Sequence, residues 1–301
     1  MALKITRASD PITVDRLNMV IYGPPGIAKT SLAFTAEAPL LLDFDNGSHR
    51  AANRKDVVRV TSWADIANID AGDLEPFKTI IVDTAGRALD SLSVDIIKAN
   101  PKHGRGGALT LQGFGELKSR FGAFLKLLNS FGKDVVLIAH MDEQRSGDDV
   151  IERLDVQGGS KGEIYKTADA MGRLIIENKH RWLLFSPTDA AFGKNPGQLD
   201  PLKVPHFEDA DFEGFLGRVI QQTKDRLNEA SLAQKEAAAE QEWFRDAISK
   251  INSVDQLNGL LGRVANAPKA CKVMMRDKAT AIGAHYDTSR NEFVLSSKEA
   301  A

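Results

Sequence analysis

The stretch LNMVIYGPPGIAKT, residues 17–30, joins an apolar run directly to a loop rich in glycine and proline. The apolar run predicts a buried strand, and the loop nearly matches the phosphate-loop pattern G-x-x-x-x-G-K-[ST]. Gly23, Lys29 and Thr30 occupy their expected positions, whereas Ala28 stands where the second glycine belongs. A strand before the loop and a helix after it are the setting that a phosphate loop requires. The stretch therefore predicts a nucleotide-binding loop within an α/β fold.

Composition limits the class of protein. The chain has 301 residues, a formal net charge of −2 and a single cysteine, Cys271. This length suffices for one large α/β domain with a small appendage, and the near-neutral charge gives no overall attraction to nucleic acid. One cysteine excludes a disulfide framework or a cysteine-based zinc site and favours a reducing compartment. Without a signal-peptide pattern or an apolar run of membrane-spanning length, we expect a cytoplasmic protein with no membrane partner.

Short apolar runs alternate with helical patterns as far as about residue 190, which predicts a parallel sheet covered on both faces. The predicted strands are residues 17–22, 40–43, 57–61, 79–83 and 135–139. Helices are predicted at residues 31–37 and from Phe114 onward, and a hairpin at the sheet edge spans residues 173–185. We expect an ATP-binding core at residues 1–222. A helical C-terminal region is predicted at 223–301, with a long helix over 224–250 and Ser253 capping the next helix.

The loop and one downstream carboxylate suggest a site for ATP and Mg²⁺. Lys29 would reach the β and γ phosphates, and the Thr30 hydroxyl and Asp83, at the end of an apolar strand, would hold the metal. If Ala28 takes a positive φ, the strain costs about 1–2 kcal/mol, which does not abolish a site with several phosphate contacts. The predicted nucleotide-binding residues are Gly23, Pro24, Pro25, Gly26, Ile27, Ala28, Lys29, Thr30 and Ser31.

A GTPase is a weaker alternative. The sequence DTAG at residues 83–86 fits the D-x-x-G of GTP-hydrolysing switches. A guanine site would also need N-K-x-D late in the sheet. The candidate, Asn178-Lys179-His180-Arg181, has arginine in place of that aspartate. This departure argues against guanine recognition.

The order of these motifs resembles the RecA-like ATPase core, and most closely the RecA-like single-strand annealing proteins of bacteriophages. The resemblance covers residues 15 to about 220 and rests on YGPPGIAKTSLA, LLLDFDNG, FKTIIVDTAG, LTLQGFGELKSRF and VVLIAH. The first and third motifs are common to P-loop proteins, and their combination with the second and last is more specific.

The resemblance implies roles for three further residues. Asp45 falls where the family places the glutamate that polarises the attacking water, although aspartate is one methylene shorter and Asp43 is a nearby substitute. His140 falls at the position of a polar γ-phosphate sensor, so Asp45, Lys29 and His140 form the predicted catalytic set. Lys194 follows the edge hairpin, where such assemblies donate a cation to a neighbouring subunit's nucleotide.

DNA contacts in RecA-like recombinases come from loops after the fourth and fifth strands. The first loop here is glycine-rich and contains Lys98, Lys102 and Arg105 without an acid, which suits a phosphate backbone. The second, residues 142–166, is mostly acidic and disfavours phosphate. A basic stretch at 263–278 is an alternative DNA patch, a docking surface or a solvated face.

Together with these motifs, the resemblance implies an ATPase that assembles as a homo-oligomer on single-stranded DNA during phage recombination or annealing, in the cytoplasm of a bacterial host. A single-strand-binding or replication protein is a further expected partner. One alternative is an ATP-dependent loader or scaffold that switches partner binding. A small-molecule kinase is a weaker one, because the sequence has no arginine-rich lid.

Overall fold

The computed structural model describes residue 6 and residues 10–146, 149–156 and 160–296. Thirteen strands in the described ranges are β1 Asn18–Gly23, β2 Pro39–Asp43, β3 Asp56–Arg59, β4 Thr79–Asp83, β5 Gly104–Arg105, β6 Ala108–Leu109, β7 Asp134–Ser146, β8 Asp149–Leu154, β9 Ala170–Glu177, β10 His180–Leu184, β11 Leu202–Val204, β12 Ala284–Asp287 and β13 Glu292–Leu295. Eight α-helices accompany them: α1 Lys29–Ala33, α2 Ala85–Ala99, α3 Leu111–Ser130, α4 Ser160–Thr167, α5 Phe215–Ser249, α6 Val254–Asn258, α7 Leu261–Val264 and α8 Lys269–Ala281.

Nine strands form the main sheet, in the order β11-β10-β9-β1-β7-β4-β2-β3, with β8 paired to β7. The six strands from β9 to β3 in this order run parallel to one another. Antiparallel pairs join β8, β10 and β11 to this parallel core. Parallel pairing brings the carboxyl ends of β1, β2, β4 and β7 to the same edge of the sheet.

Each face of the sheet has its own apolar core. Side chains of β1 alternate between them: Val20 and Tyr22 pack with α2 and α3, whereas Met19 and Ile21 pack with residues of α1 and the start of α5. This alternation follows from the two-residue period of a strand. The mostly parallel sheet with helices on both faces confirms the predicted RecA-like α/β P-loop fold class.

Some boundaries differ from the sequence-based expectations. Helix α1 ends at Ala33, well before the predicted residue 37, and β7 continues past residue 139 to Ser146 because β8 pairs with it. The predicted hairpin forms from β9 and β10, with Asn178 and Lys179 at positive φ values of 50° and 64°. It is not at the sheet edge, because β11 pairs with the outer side of β10.

The chain divides into two compact units. One is Val14–Leu227, and the other joins the described residues before Val14 to those from Asn228 onward. The sequence analysis placed the boundary between two domains at residues 222 and 223, and these ranges stay a prediction. In the C-terminal unit, Ser253 caps α6 by accepting the Gln256 amide at 3.3 Å, as expected.

The C-terminal unit is helical with one hairpin that the sequence analysis missed, β12–β13. Phe293 of β13 is buried with Phe244, Cys271 and Met275. The Asn258 side chain fixes this strand, since it donates to the Phe293 carbonyl at 2.9 Å and accepts the Phe293 amide at 2.7 Å.

Candidate nucleotide site

The loop between β1 and α1 contains two residues in the left-handed region. Gly26 has a φ of 76° and Ala28 a φ of 70°, so the strained case considered for Ala28 is the one observed. Gly23 has a different constraint: a Cβ there would lie 2.4 Å from the Leu174 carbonyl oxygen of β9. The first glycine of the motif therefore permits a close strand contact, while Ala28 adopts the conformation that a glycine would favour.

The Lys29 side chain is buried, with 5% of the residue exposed. Its ammonium donates to the carbonyls of Gly23 and Pro24 at 2.9 and 2.8 Å, and Nζ lies 3.4 Å from His140 Nδ1. Burial lowers the pKa of Lys29 to about 8, although Asp83 and Asp45 oppose this shift. The Lys29 side chain therefore folds back over the backbone of the loop, and it lines the pocket in which phosphates would lie.

Thr30 and Asp83 meet at the end of β4. The Thr30 hydroxyl donates to Asp83 Oδ2 at 2.6 Å. Burial raises the pKa of Asp83 to about 6, with Asp43 and Asp45 adding to the rise and the Thr30 hydrogen bond and Lys29 opposing it. A buried carboxylate whose charge is poorly compensated is suited to a divalent cation. Among the described residues no group of three or more His, Cys, Asp or Glu side chains could hold a metal.

The two acids after β2 have different environments. Asp43 is 1% exposed, and its carboxylate oxygens accept the amides of Gly47 and Ser48 at 3.1 and 3.0 Å. Asp45 instead faces the concavity next to Lys29 and Thr30. This geometry assigns Asp43 to the turn and leaves Asp45 as the acid directed at the candidate site.

His140 lies beside Gly23 in the β1–β7 register and lines the same concavity. Its pKa is lowered, first by burial and then by the Lys29 charge, while Asp45 and Asp155 oppose this. A neutral imidazole at physiological pH can accept or donate a hydrogen bond to a phosphate or water. The structure therefore brings the predicted catalytic set together at one place.

Lys29, Thr30, Asp45, Asp83 and His140 all line one pocket with a volume of about 440 Å³. Its lining residues are Pro25, Gly26, Ala28, Lys29, Thr30, Ser31, Asp45, Gly47, Arg50, Ala51, Asp83 and His140. Sequence reasoning missed Gly47, Arg50 and Ala51. The signal was present in DFDNG: if Asp45 faces the nucleotide, the turn that follows it must pass along the pocket wall.

Lys194, predicted to act on a neighbouring subunit, lies away from this pocket. Its ammonium donates to the carbonyls of Tyr165 and Ala168 at 2.5 and 2.6 Å, at the C-terminal end of α4. The amine is engaged within its own chain, which does not favour a trans-acting role. That role stays a prediction.

The predicted DNA loop after β4 contains regular secondary structure. It contains the β5–β6 hairpin, whose turn residues Gly106 and Gly107 have positive φ values of 59° and 82°. Lys98, on the last turn of α2, lies in a surface concavity that Asp90 and Asp95 also line. The segment from Lys98 to Arg105 has no acidic residue in the sequence, but the fold brings two carboxylates of α2 into the same concavity. The other two cations, Lys102 and Arg105, are exposed.

The structure also describes most of the acidic second loop, residues 142–166, and the basic stretch at 263–278. The acidic second loop includes the β7–β8 hairpin and α4, and its residues 147–148 and 157–159 lie outside the described part of the chain. In the basic stretch, Arg263 makes a bidentate pair with Glu240 at 2.7 Å and covers the Trp243 ring at 3.5 Å. Lys269, Lys272 and Arg276 of α8 are exposed. Within the described residues no helix is long and apolar enough to cross a bilayer.

Comparison with known proteins places this site in a family. A family model described as an AAA domain matches residues 15–196. Comparison with curated proteins gives no match. Among solved structures, a KaiC-like protein from the hyperthermophilic archaeon Pyrococcus horikoshii OT3 matches with a TM-score of 0.33 and 11% identity, over 56% of this chain and 77% of that one. The family match spans the phosphate loop, Asp45, Asp83 and His140, and the chain therefore belongs to the AAA domain family of P-loop ATPases.

Proposed function

We propose that this protein is an ATPase that acts on single-stranded DNA in phage recombination or strand annealing. The observation that supports ATP hydrolysis is the convergence of Lys29, Thr30, Asp45, Asp83 and His140 on one pocket. Family membership supports nucleotide binding. The DNA role rests on the resemblance to phage annealing proteins and on the exposed cations near the β5–β6 hairpin.

The chain's own residues account for phosphate binding and water orientation. The amides of the loop and the Lys29 ammonium would stabilise the charge of the β and γ phosphates. Asp45 would accept a hydrogen bond from the attacking water and orient it toward the terminal phosphorus, and His140 would contact that phosphate or the water. No covalent intermediate with the protein is required.

Mg²⁺ fits the remaining polar groups. Thr30 Oγ1 and Asp83 Oδ2 are oxygen atoms 2.6 Å apart at the foot of the loop, and burial raises the pKa of the Asp83 carboxyl. When bound, the metal would neutralise charge on the phosphate oxygens. These two residues are the ones we expect to hold it.

Single-stranded DNA would be bound through Lys98, Lys102 and Arg105. The two glycines of the hairpin turn leave its backbone open to a close approach by phosphate. We further propose that the protein works as a homo-oligomer, as RecA-like ATPases on DNA do. It would act alongside a single-strand-binding or replication protein.

A loader or scaffold is the second candidate, and the acidic β7–β8 hairpin favours it. Asp142 and Glu143 are exposed on β7 and place negative charge in the segment that corresponds to the second DNA loop of RecA-like recombinases, whereas Glu152 of β8 pairs with Arg173 at 2.7 Å. Under this hypothesis, ATP bound in the pocket controls the binding of a protein partner rather than of DNA.

One experiment separates these readings: ATPase rates with and without single-stranded DNA, followed by sizing of the complex with an ATP analogue. We expect DNA to raise the ATPase rate and to form a large complex. Lys29→Ala is the control that should abolish both nucleotide binding and stimulation. If the protein binds nucleotide but its ATPase rate is the same with and without DNA, the result favours the loader hypothesis.

A further inference from the structure

Arg50 is the cation in the pocket that neither the loop motif nor the resemblance assigns. It ends the short 3₁₀ turn Ser48–Arg50 and lines the pocket together with Lys29 and Asp45. Its side chain is 68% exposed, so most of the guanidinium remains open to a ligand. Arg50 therefore adds a second positive side chain to the pocket of Lys29.

The backbone of Arg50 is fixed relative to the phosphate loop. Its amide donates to the Gly47 carbonyl at 3.0 Å, within the turn that the Asp43 carboxylate holds. Two residues on, the Ala52 amide donates to the Ser31 hydroxyl on α1 at 3.1 Å. An anchored main chain with an exposed guanidinium lets the side chain change partners without moving the loop.

The guanidinium of Arg50 now faces the carboxylate proposed to orient water. Its Nη2 lies 3.6 Å from Asp45 Oδ2, while Arg87 Nε lies 3.6 Å from the other oxygen, Oδ1. Pairs this long and exposed are weak. Because each oxygen has its own arginine, departure of Arg50 frees Oδ2, while Arg87, which also lies 3.5 Å from Asp90, stays beside Oδ1.

We infer that Arg50 is a further nucleotide-binding residue that exchanges its ion pair with Asp45 for the terminal phosphate of ATP. The inference rests on the proposed ATP site. Arg50 and Asp45 line the same pocket as Lys29, the residue expected to contact the β and γ phosphates, so Arg50 is placed to reach the terminal phosphate. A guanidinium binds phosphate through two parallel hydrogen bonds, which is stronger than an exposed pair with one carboxylate oxygen.

The exchange has a consequence for Asp45. In the absence of a terminal phosphate, Arg50 occupies one of the carboxylate oxygens that would accept a hydrogen bond from water. Once ATP binds, that oxygen is released while Arg87 retains the other. Arg50 thereby makes the pocket distinguish a triphosphate from a diphosphate, since the diphosphate offers no group for which Arg50 would leave Asp45.

The test measures ATP and ADP affinity by displacement of a fluorescent nucleotide in excess Mg²⁺. Arg50→Ala should weaken ATP about tenfold, the loss of one charge-assisted contact, and change ADP affinity by less than about twofold. Arg50→Lys, which keeps the charge without the fork, should fall between. The matched control is Arg54→Ala, an exposed arginine that lines a neighbouring concavity instead, and it should change neither affinity.

A double-mutant cycle with Asp45→Asn tests the exchange itself. Removing the Asp45 charge should tighten ATP binding in the native chain, and the gain should be clearly smaller in the Arg50→Ala background. Equal gains in both backgrounds would mean simple repulsion between Asp45 and phosphate and would overturn the exchange. Equal losses of ATP and ADP affinity in Arg50→Ala and Arg50→Lys, or no loss, would also overturn it while ATP binding stands. A native chain that binds neither nucleotide removes the proposed function as well.

Discussion

Ala28 shows how a single methyl group modifies a phosphate loop without displacing it. With a φ of 70°, its backbone takes the conformation that a glycine would adopt at a cost of about 1–2 kcal/mol for an L-residue. The pocket around it still collects the loop, Asp45, Asp83 and His140. The departure from the motif therefore costs stability rather than geometry.

Ala28→Gly should stabilise the protein by about 0.5–1 kcal/mol, because relief of the strain exceeds the greater entropy of glycine in the unfolded chain. Nucleotide affinity should be equal or higher. Thermal unfolding and nucleotide titration check the two expectations. Ala38→Gly is the matched control: Ala38 also has a positive φ, 39°, but does not line this pocket, so only stability should rise. A marked fall in affinity for Ala28→Gly would mean that the methyl group contacts the ligand.

The two acids of DFDNG differ enough to be separated by substitution. Asp45→Asn should bind ATP and hydrolyse it far more slowly, since an amide is a poor base for orienting water, and it should unfold within about 0.5 kcal/mol of the native chain. Asp43→Asn should lose about 1–2 kcal/mol of stability, because one backbone amide of the turn loses its acceptor. Single-turnover hydrolysis and chemical denaturation measure both. If Asp43→Asn were stable but inactive and Asp45→Asn active, the acids would be assigned the wrong way round.

At the scale of elements, the β5–β6 hairpin makes the DNA prediction more specific. Each phosphate neutralised on a single strand contributes about 0.7 to the slope of log affinity against log salt. Changing Lys98, Lys102 and Arg105 to alanine should therefore flatten that slope by about 2. The Lys98 share should be smallest, since Asp90 and Asp95 line the same concavity.

The measurement is affinity for a labelled oligothymidine across a salt series, with an ATP analogue present. Lys269→Ala with Lys272→Ala, on the exposed side of α8, is the comparison. Were the slope to change only in this second variant, the contact would belong to the basic stretch. ATP affinity should persist in all of them.

Strand β4 and the region after it mark the limits of prediction from sequence. Thr79–Asp83 was located correctly because its centre, Ile80-Ile81-Val82, is a run of β-branched apolar residues, and all five residues are buried in the sheet. The extension of β7 to Ser146 was missed because its residues are polar and depend on pairing with β8, a non-local contact. For the same reason the acidic segment was predicted as a loop, and the two-residue strands β5 and β6 were not foreseen.

In the candidate site, too, residues with a local sequence signal could be predicted and residues placed by non-local contacts could not. Residues fixed by a motif, such as Lys29 and Thr30, could be found from the sequence. Arg50 and Arg87 could not, because their proximity to Asp45 depends on how a turn and the first turn of α2 fold toward the sheet edge. Exposed long side chains leave no periodic pattern from which their partners can be read.

At the scale of the whole molecule, the buried Asp83 links stability to pH and to the metal. The pKa of Asp83 rises from 3.8 to about 6 in the folded protein, mainly through burial. The folded state then holds this proton more tightly than the unfolded state. The stabilising contribution is fully present below about pH 3.8 and is lost as the pH rises through about 6, an effect on the order of 3 kcal/mol.

Mg²⁺ would reverse this loss, because it binds the ionised carboxylate. We therefore expect Mg·ATP to raise the unfolding temperature more at pH 7 than at pH 5.5, where the metal must first displace a proton from Asp83. Scanning calorimetry across this range measures the shift. ATP in EDTA is the control for protonation of the nucleotide itself, and Asp83→Asn should remove the pH dependence that Mg²⁺ adds. An equal stabilisation by Mg·ATP at both pH values in the native protein would show that the metal binds without Asp83, and would leave the end of β4 with a purely structural carboxylate.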